Sequence, residues 1–196
     1  SQPTLALNAA QNAINDELLA LLGHTNSILG GGVSSQRANM AELQRGLDQT
    51  QAYIDHIHLS DGAGAEWQRL VSLIHTLDHR QRLHESCEEE EYRATIAREN
   101  TYLEETCQLL STTINNILID INNKRWQAAA HIAEETAVRI QEQSRPLRNM
   151  IMADIARGKT DVHTETTSLE ANRWMPRPSQ HTARNSEHFR KAVLPP

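Results

Sequence analysis

The chain has 196 residues, enough for one domain or two small ones, since domains usually hold roughly 100 to 200 residues. Hydrophobic side chains make up 38% of it and aromatic ones 4%, too little aromatic bulk for a β-sandwich or barrel core, and eight Gly and six Pro are too few to punctuate many short strands. The net charge of −6 is uneven: residues 1–144 hold ten Lys and Arg against twenty Asp and Glu, whereas nine face five from Arg145 onward.

An all-α protein is therefore expected. The basic tail lacks aromatic interleaving beyond Trp174 and Phe189, which argues against nucleic acid as a partner. No run approaches the roughly 18 to 20 apolar residues of a membrane span and no signal-peptide core is visible, so the chain itself is expected to be soluble. The missing initiator Met fits a processed protein or an excised domain.

Apolar residues at helical spacing open the chain at Leu7, Ala10, Ile14, Leu18, Leu21 and Ile28, and Gly30 to Gly32 end this first helix. After an N-cap at Ser34 or Ser35, Met40, Leu43, Leu47, Ile54 and Ile57 carry a second helix to Asp61, Gly62 and Gly64. A third starts at Ala65 with Trp67, Leu70, Val71, Ile74 and Leu77, and its stripe then turns polar through Asp78, Gln81, Glu85 and Glu88. Ile96, Leu103, Cys107, Leu110, Ile114, Ile117 and Ile121 mark a fourth, with one gap at Glu99. Asn122 and Asn123 suit a turn. Trp126, Ala129, Ala133, Ala137, Ile140, Leu147, Ile151 and Ile155 give a fifth helix, kinked near Pro146 and stopped at Gly158. Asp161 can cap a sixth, with Leu169, Trp174, Phe189 and Val193, bent or broken at Pro176 and Pro178. Long helices on short turns pack antiparallel. Six of them fall into two tandem three-helix bundles, residues 1–92 and 93–196.

Two stretches could carry chemistry. On the third helix His75 and His79 lie four apart beside Asp78, Arg82 and Glu85, and imidazole and carboxylate one turn apart can share a metal ion. The plainer reading is a solvated face with an Asp78–Arg82 pair. In the last segment Arg173, Arg177, His181, Arg184 and His188 recur at three- and four-residue steps and suit an anion or an acidic partner surface, or docking onto the acidic body. Cys107 lies inside an apolar stripe and Cys87 borders the acidic run Glu88 to Glu91, so neither is expected to be a nucleophile. No phosphate-cradling loop, nucleophile elbow or HExxH is present. No enzymatic activity is expected.

The stretch Leu77 to Glu85, LDHRQRLHE, is similar to the acidic third-helix motif of PhoU-like domains, and Arg173 to His188, RWMPRPSQHTARNSEH, to the Arg-Trp segment followed by spaced Arg and His in their second repeat. With six helices in two sets of three, the chain resembles the cytoplasmic tail of bacterial sodium-dependent phosphate cotransporters. The resemblance implies a non-catalytic regulatory or accessory role in phosphate transport at the cytoplasmic face of the inner membrane. Its partners would be the transmembrane transporter part of the same chain and a second copy of the domain. The motif of this family holds divalent or iron-type metal ions in some members. Here its positions fall on Gln81 and Glu85, an amide replacing one carboxylate, which leaves His75, Asp78, His79 and Glu85 as the candidate ligands. A different class, a free cytosolic signalling bundle, would use His79 or His84 as a phosphoryl acceptor or bind metal as a free regulator.

Overall fold

In the computed structural model residues 2–31, 37–60, 62, 64–89, 91–159 and 161–193 are described. Among them the chain is helical and no strand occurs. Eight helical segments follow one another: α1 (Gln2–Ile28), α2 (Met40–Asp55), α3 (Gly64–Glu89), α4 (Glu91–Glu99), α5 (Glu104–Asn122), α6 (Trp126–Ala156), α7 (Val162–Trp174) and α8 (Pro176–Val193). Eight replace the expected six because two of the six are split.

The first split falls beside the gap in the fourth stripe. Asn100 ends α4, and its side-chain oxygen takes the Tyr102 backbone N–H at 2.9 Å, a local turn that competes with helix continuation. The second split separates α7 from α8 by Met175 alone. Pro176 and Pro178 then lie in the first turn of α8, where a missing N–H costs nothing. By contrast α6 runs through Pro146 for 31 residues. The cap of α2 is Asn39, which accepts from Ala41 and Glu42 N–H groups, and α2 ends at Asp55, before Ile57. Asp161 caps α7 as expected, through the Thr164 N–H at 2.8 Å. The expected features at Gly32, Ser34, Ser35 and Asp61, and the side chains of Glu88, Phe189 and Val193, lie outside the described residues.

The helices pack around two apolar clusters. The smaller joins Leu7, Ala10 and Ile14 of α1, Leu47 and Ile54 of α2, and Leu70, Leu73 and Leu77 of α3. The larger takes the C-terminal half of α1, Leu83 and Cys87 of α3, and the inner faces of α4 to α8. It crosses the expected boundary at 92/93, because α1 and α3 each serve both clusters. The most extensive helix pairs are α3 with α8 and α6 with α8.

One face is corrected by the structure. Trp67 and Ile74, expected in the α3 stripe, are exposed. The buried line steps from Leu70 and Leu73 to Leu77, then to Arg80, His84 and Cys87, so the inward polar groups are Thr76, Arg80 and His84, while Asp78 and Glu85 face water.

At the end of α1 the chain turns through Gly30, at φ +84, into Gly31. A Cβ on Gly31 would stand 1.4 Å from the Ser111 hydroxyl oxygen and 2.7 Å from Asn26 Oδ1. Those two groups are already joined, Ser111 donating to Asn26 at 2.5 Å and Asn26 to Asn115 at 2.8 Å, in a polar link between α1 and α5. Gly31→Ala must therefore push α5 away or break the link. It is expected to lower stability by about 1–3 kcal/mol, read as a shifted midpoint in urea unfolding.

Candidate functional site

The two stretches singled out in the sequence meet face to face along the α3–α8 seam. Residues four apart on a helix stack above one another, which puts His75 and His79 on one strip of α3. His188 of α8 stacks on both, with ring centroids 5.6 Å from His75 and 4.7 Å from His79 and interplanar angles of 28° and 14°. Two turns from His188 along α8, His181 lies within electrostatic reach of Arg82 and Glu85 of α3 and of Arg177 and Arg184 on its own helix. Arg173, Arg177 and Arg184 are exposed, whereas His181 and His188 turn partly inward.

The expected metal set is scattered by this geometry. Asp78 pairs with Arg82 at 3.2 Å, both half in water. Glu85 accepts a 3.4 Å contact from Gln81, whose amide exchanges two hydrogen bonds with Gln44 of α2 at 2.8 and 3.0 Å. Among the described residues no three His, Cys, Asp or Glu side chains are arranged to hold a metal ion as they stand. Nor can His84 take a phosphoryl group in this arrangement, since it is fully buried with Nε2 at 2.8 Å from the Met40 carbonyl.

Burial and neighbouring cations hold His79, His181 and His188 below their usual range. His188 is pushed down to about 4, first by burial, then by His79, His75 and Lys191, with Glu187 opposing. His79 and His181 are lowered by burial foremost and by the arginines around them. Both have an Nδ1 buried without a hydrogen-bond partner.

Sequence reasoning missed Arg80. It is fully buried, donates through Nη1 to the Ile14 carbonyl, and leaves Nε and Nη2 unpartnered among the described residues. Burial pulls its guanidinium down to about 9, with Glu17 opposing. Glu17, whose carboxyl burial pushes up, accepts from Thr50 at 2.6 Å. The signal was available: continuing the three-four step from Leu70, Leu73 and Leu77 lands on Arg80. A second polar focus, also missed, is Glu165, fully buried with Oε2 unpartnered. Its other oxygen lies 3.3 Å from the Tyr102 hydroxyl, which donates to Asp154 at 2.5 Å. Those acids and burial push the Tyr102 phenol well up. The thiols are buried, Cys87 and Cys107 each pushed up to about 11 by burial, which keeps them protonated and poorly nucleophilic.

Two outcomes follow from these buried groups. Replacing a buried cation by an apolar side chain of similar size is often neutral or stabilising, whereas removing only its counter-charge strands it. Arg80→Met is accordingly expected to hold or raise the melting temperature, and Glu17→Gln to lower it, in parallel thermal melts. The second concerns His24, also held low by burial, with Nδ1 accepting the Ala38 N–H at 3.0 Å. Below its unfolded value of about 6.5 the unfolded chain takes up a proton that the folded ring resists, so stability is full above that pH and falls on acidification. Melting temperature should drop from pH 7.5 to pH 5, and His24→Asn, whose amide oxygen can still accept from Ala38, should flatten that slope.

Comparison with models of protein families, with curated proteins and with solved structures finds no match for this chain.

Proposed function

We propose that the chain is a non-catalytic regulatory or accessory domain of PhoU-like type, serving a sodium-dependent inorganic phosphate transporter at the cytoplasmic face of the inner membrane. In this reading residues 1–92 and 93–196 act as two tandem three-helix units. The transmembrane part of the same protein is the partner. The observation that supports it is the α3–α8 seam: the two stretches that carry the resemblance, over a hundred residues apart for His79 and His188, are neighbours in space.

On and beside that seam the outward arginines and the inward imidazoles divide the work. Arg173 and Arg184 carry planar, permanently charged guanidinium groups on exposed side chains, the groups best suited to carboxylates or phosphates on an opposing surface. A contact that forms with one transporter conformation better than with the other shifts the balance between them by its differential affinity. Among the described residues no helix is long and apolar enough to cross a membrane, and in this reading the membrane part belongs to other segments of the protein.

The test is sodium-dependent phosphate uptake by the full-length protein carrying Arg173→Glu and Arg184→Glu. Both side chains are exposed, so the melting temperature of the isolated domain should move by no more than about 2 °C. Uptake, or its response to external phosphate, should change by about fivefold or more. Unchanged uptake with an intact fold would remove the surface from the proposal.

A further inference from the structure

We propose that the cleft between the first turn of α5 and the middle of α6 binds a free α-amino acid with an apolar side chain. This inference does not rest on the transport reading, and the cleft shares no residue with the α3–α8 seam.

The cleft measures about 240 Å³, small beside the roughly 300–1,000 Å³ of sites for drug-sized ligands. It takes one small molecule. Its apolar lining comes from Leu109 of α5 and from Pro146, Leu147 and Met150 of α6. Leu109 and Leu147 pack against the larger core cluster, as does Tyr102 beside them, whose hydroxyl is fixed on Asp154. These walls are therefore preformed. Met150 is 54% exposed, and its flexible thioether adapts to side chains of varied shape.

The polar lining consists of Glu105, Thr106, Arg139 and Gln143. Among the described residues none of these four side chains is hydrogen-bonded or ion-paired. Thr106 is the telling one, because it is only 4% exposed and a buried hydroxyl normally has a partner. Thr25, Thr76 and Ser168 take the carbonyl four residues back. For Thr106 that residue is Tyr102, which precedes the helix. Its hydroxyl is left to what enters the cleft.

The same turn is the N-terminus of α5, where Leu103 supplies no side-chain cap, and the first N–H groups with their partial positive charge favour an anion there. Arg139 adds a guanidinium, the planar donor that matches a carboxylate. A bare carboxylic acid would also meet Glu104 and Glu105 in that turn. A ligand with an ammonium next to its carboxylate suits both signs: the carboxylate goes to Thr106 and Arg139, the ammonium to Glu105, and the Gln143 amide can donate to one or accept from the other. The apolar side chain then lies along Leu109, Leu147 and Met150. A free α-amino acid combines these three parts in a small volume.

The experiment is calorimetric titration of the 196-residue chain with leucine, methionine and phenylalanine, and with compounds that lack one part: glycine, isocaproate and isoamylamine. Thr106→Val and Arg139→Gln, each checked by a thermal melt, are titrated alongside. The expected result is saturable binding of one apolar amino acid per chain, with affinity lower by about tenfold or more for each incomplete compound and in each variant. Absence of saturable binding up to millimolar concentration, equal affinity for any incomplete compound, or full affinity in either folded variant overturns the proposal. Should Thr106→Val fail to fold, the exposed Arg139 decides alone.

Discussion

The fold depends on how a polar helix is buried. α8 packs broadly against α3 and α6, yet its inward residues include Ser179, Thr182, Asn185 and Ser186, with Ala183 the apolar exception among these neighbours. A hydroxyl or amide taken from water without a partner costs about 1–3 kcal/mol. Here each spends its donor on its own helix: Ser179 on the Pro176 carbonyl, Thr182 on Pro178, Asn185 on His181 and Ser186 on Thr182, at 2.7–2.9 Å. The same device recurs at Thr25, Thr76 and Ser168, each bonded to a carbonyl four residues back. Small side chains with internally satisfied donors let helices approach closely in a chain that has few aromatic residues to fill a wider gap.

That device also explains what the sequence could and could not disclose. Where the core is aliphatic, spacing was sufficient: the stripe from Leu7 to Ile28 in α1 and that from Cys107 to Ile121 in α5 are buried as their periodicity requires. Where the core is polar, an alphabet of apolar and polar residues assigns inward positions to solvent. The last segment was expected to hold itself by Leu169, Trp174, Phe189 and Val193, while the small polar face of α8 escaped notice. The same bias sent Trp67 and Ile74 inward and overlooked Arg80 and His84, although a helix face continues regardless of the chemistry it carries. Of the two breaks, the one at Pro176 was legible from the prolines, whereas the stripe from Ile96 to Ile121 read as one helix and the turn at Asn100 divides it.

The site was legible only in halves. His75 and His79 on one helix, and Arg173 to His188 on another segment, each announce themselves by spacing. Their meeting depends on which helices become neighbours, and periodicity carries no information on that. Once they meet, charge sorts by depth. The guanidinium groups of Arg173, Arg177 and Arg184, costly to desolvate, stay in water, whereas imidazoles can shed a proton and turn inward. Arg80, the guanidinium that does go inside, is tied to the α1 backbone and faced by Glu17.

The inward-turned hydroxyls of α8 have a mechanical side. A side chain that satisfies itself within its own helix grips its neighbour by shape and not by a directional bond. Along Ser179, Thr182 and Ser186 one helix can slip past another without first breaking an interhelical hydrogen bond at those positions, and sliding of packed helices is one of the ways in which domains respond to a load. At those three positions α8 is thus seated as in a bearing, while Gln180, donating to Gln141 of α6 at 3.0 Å, and the ring stack against α3 act as its detents.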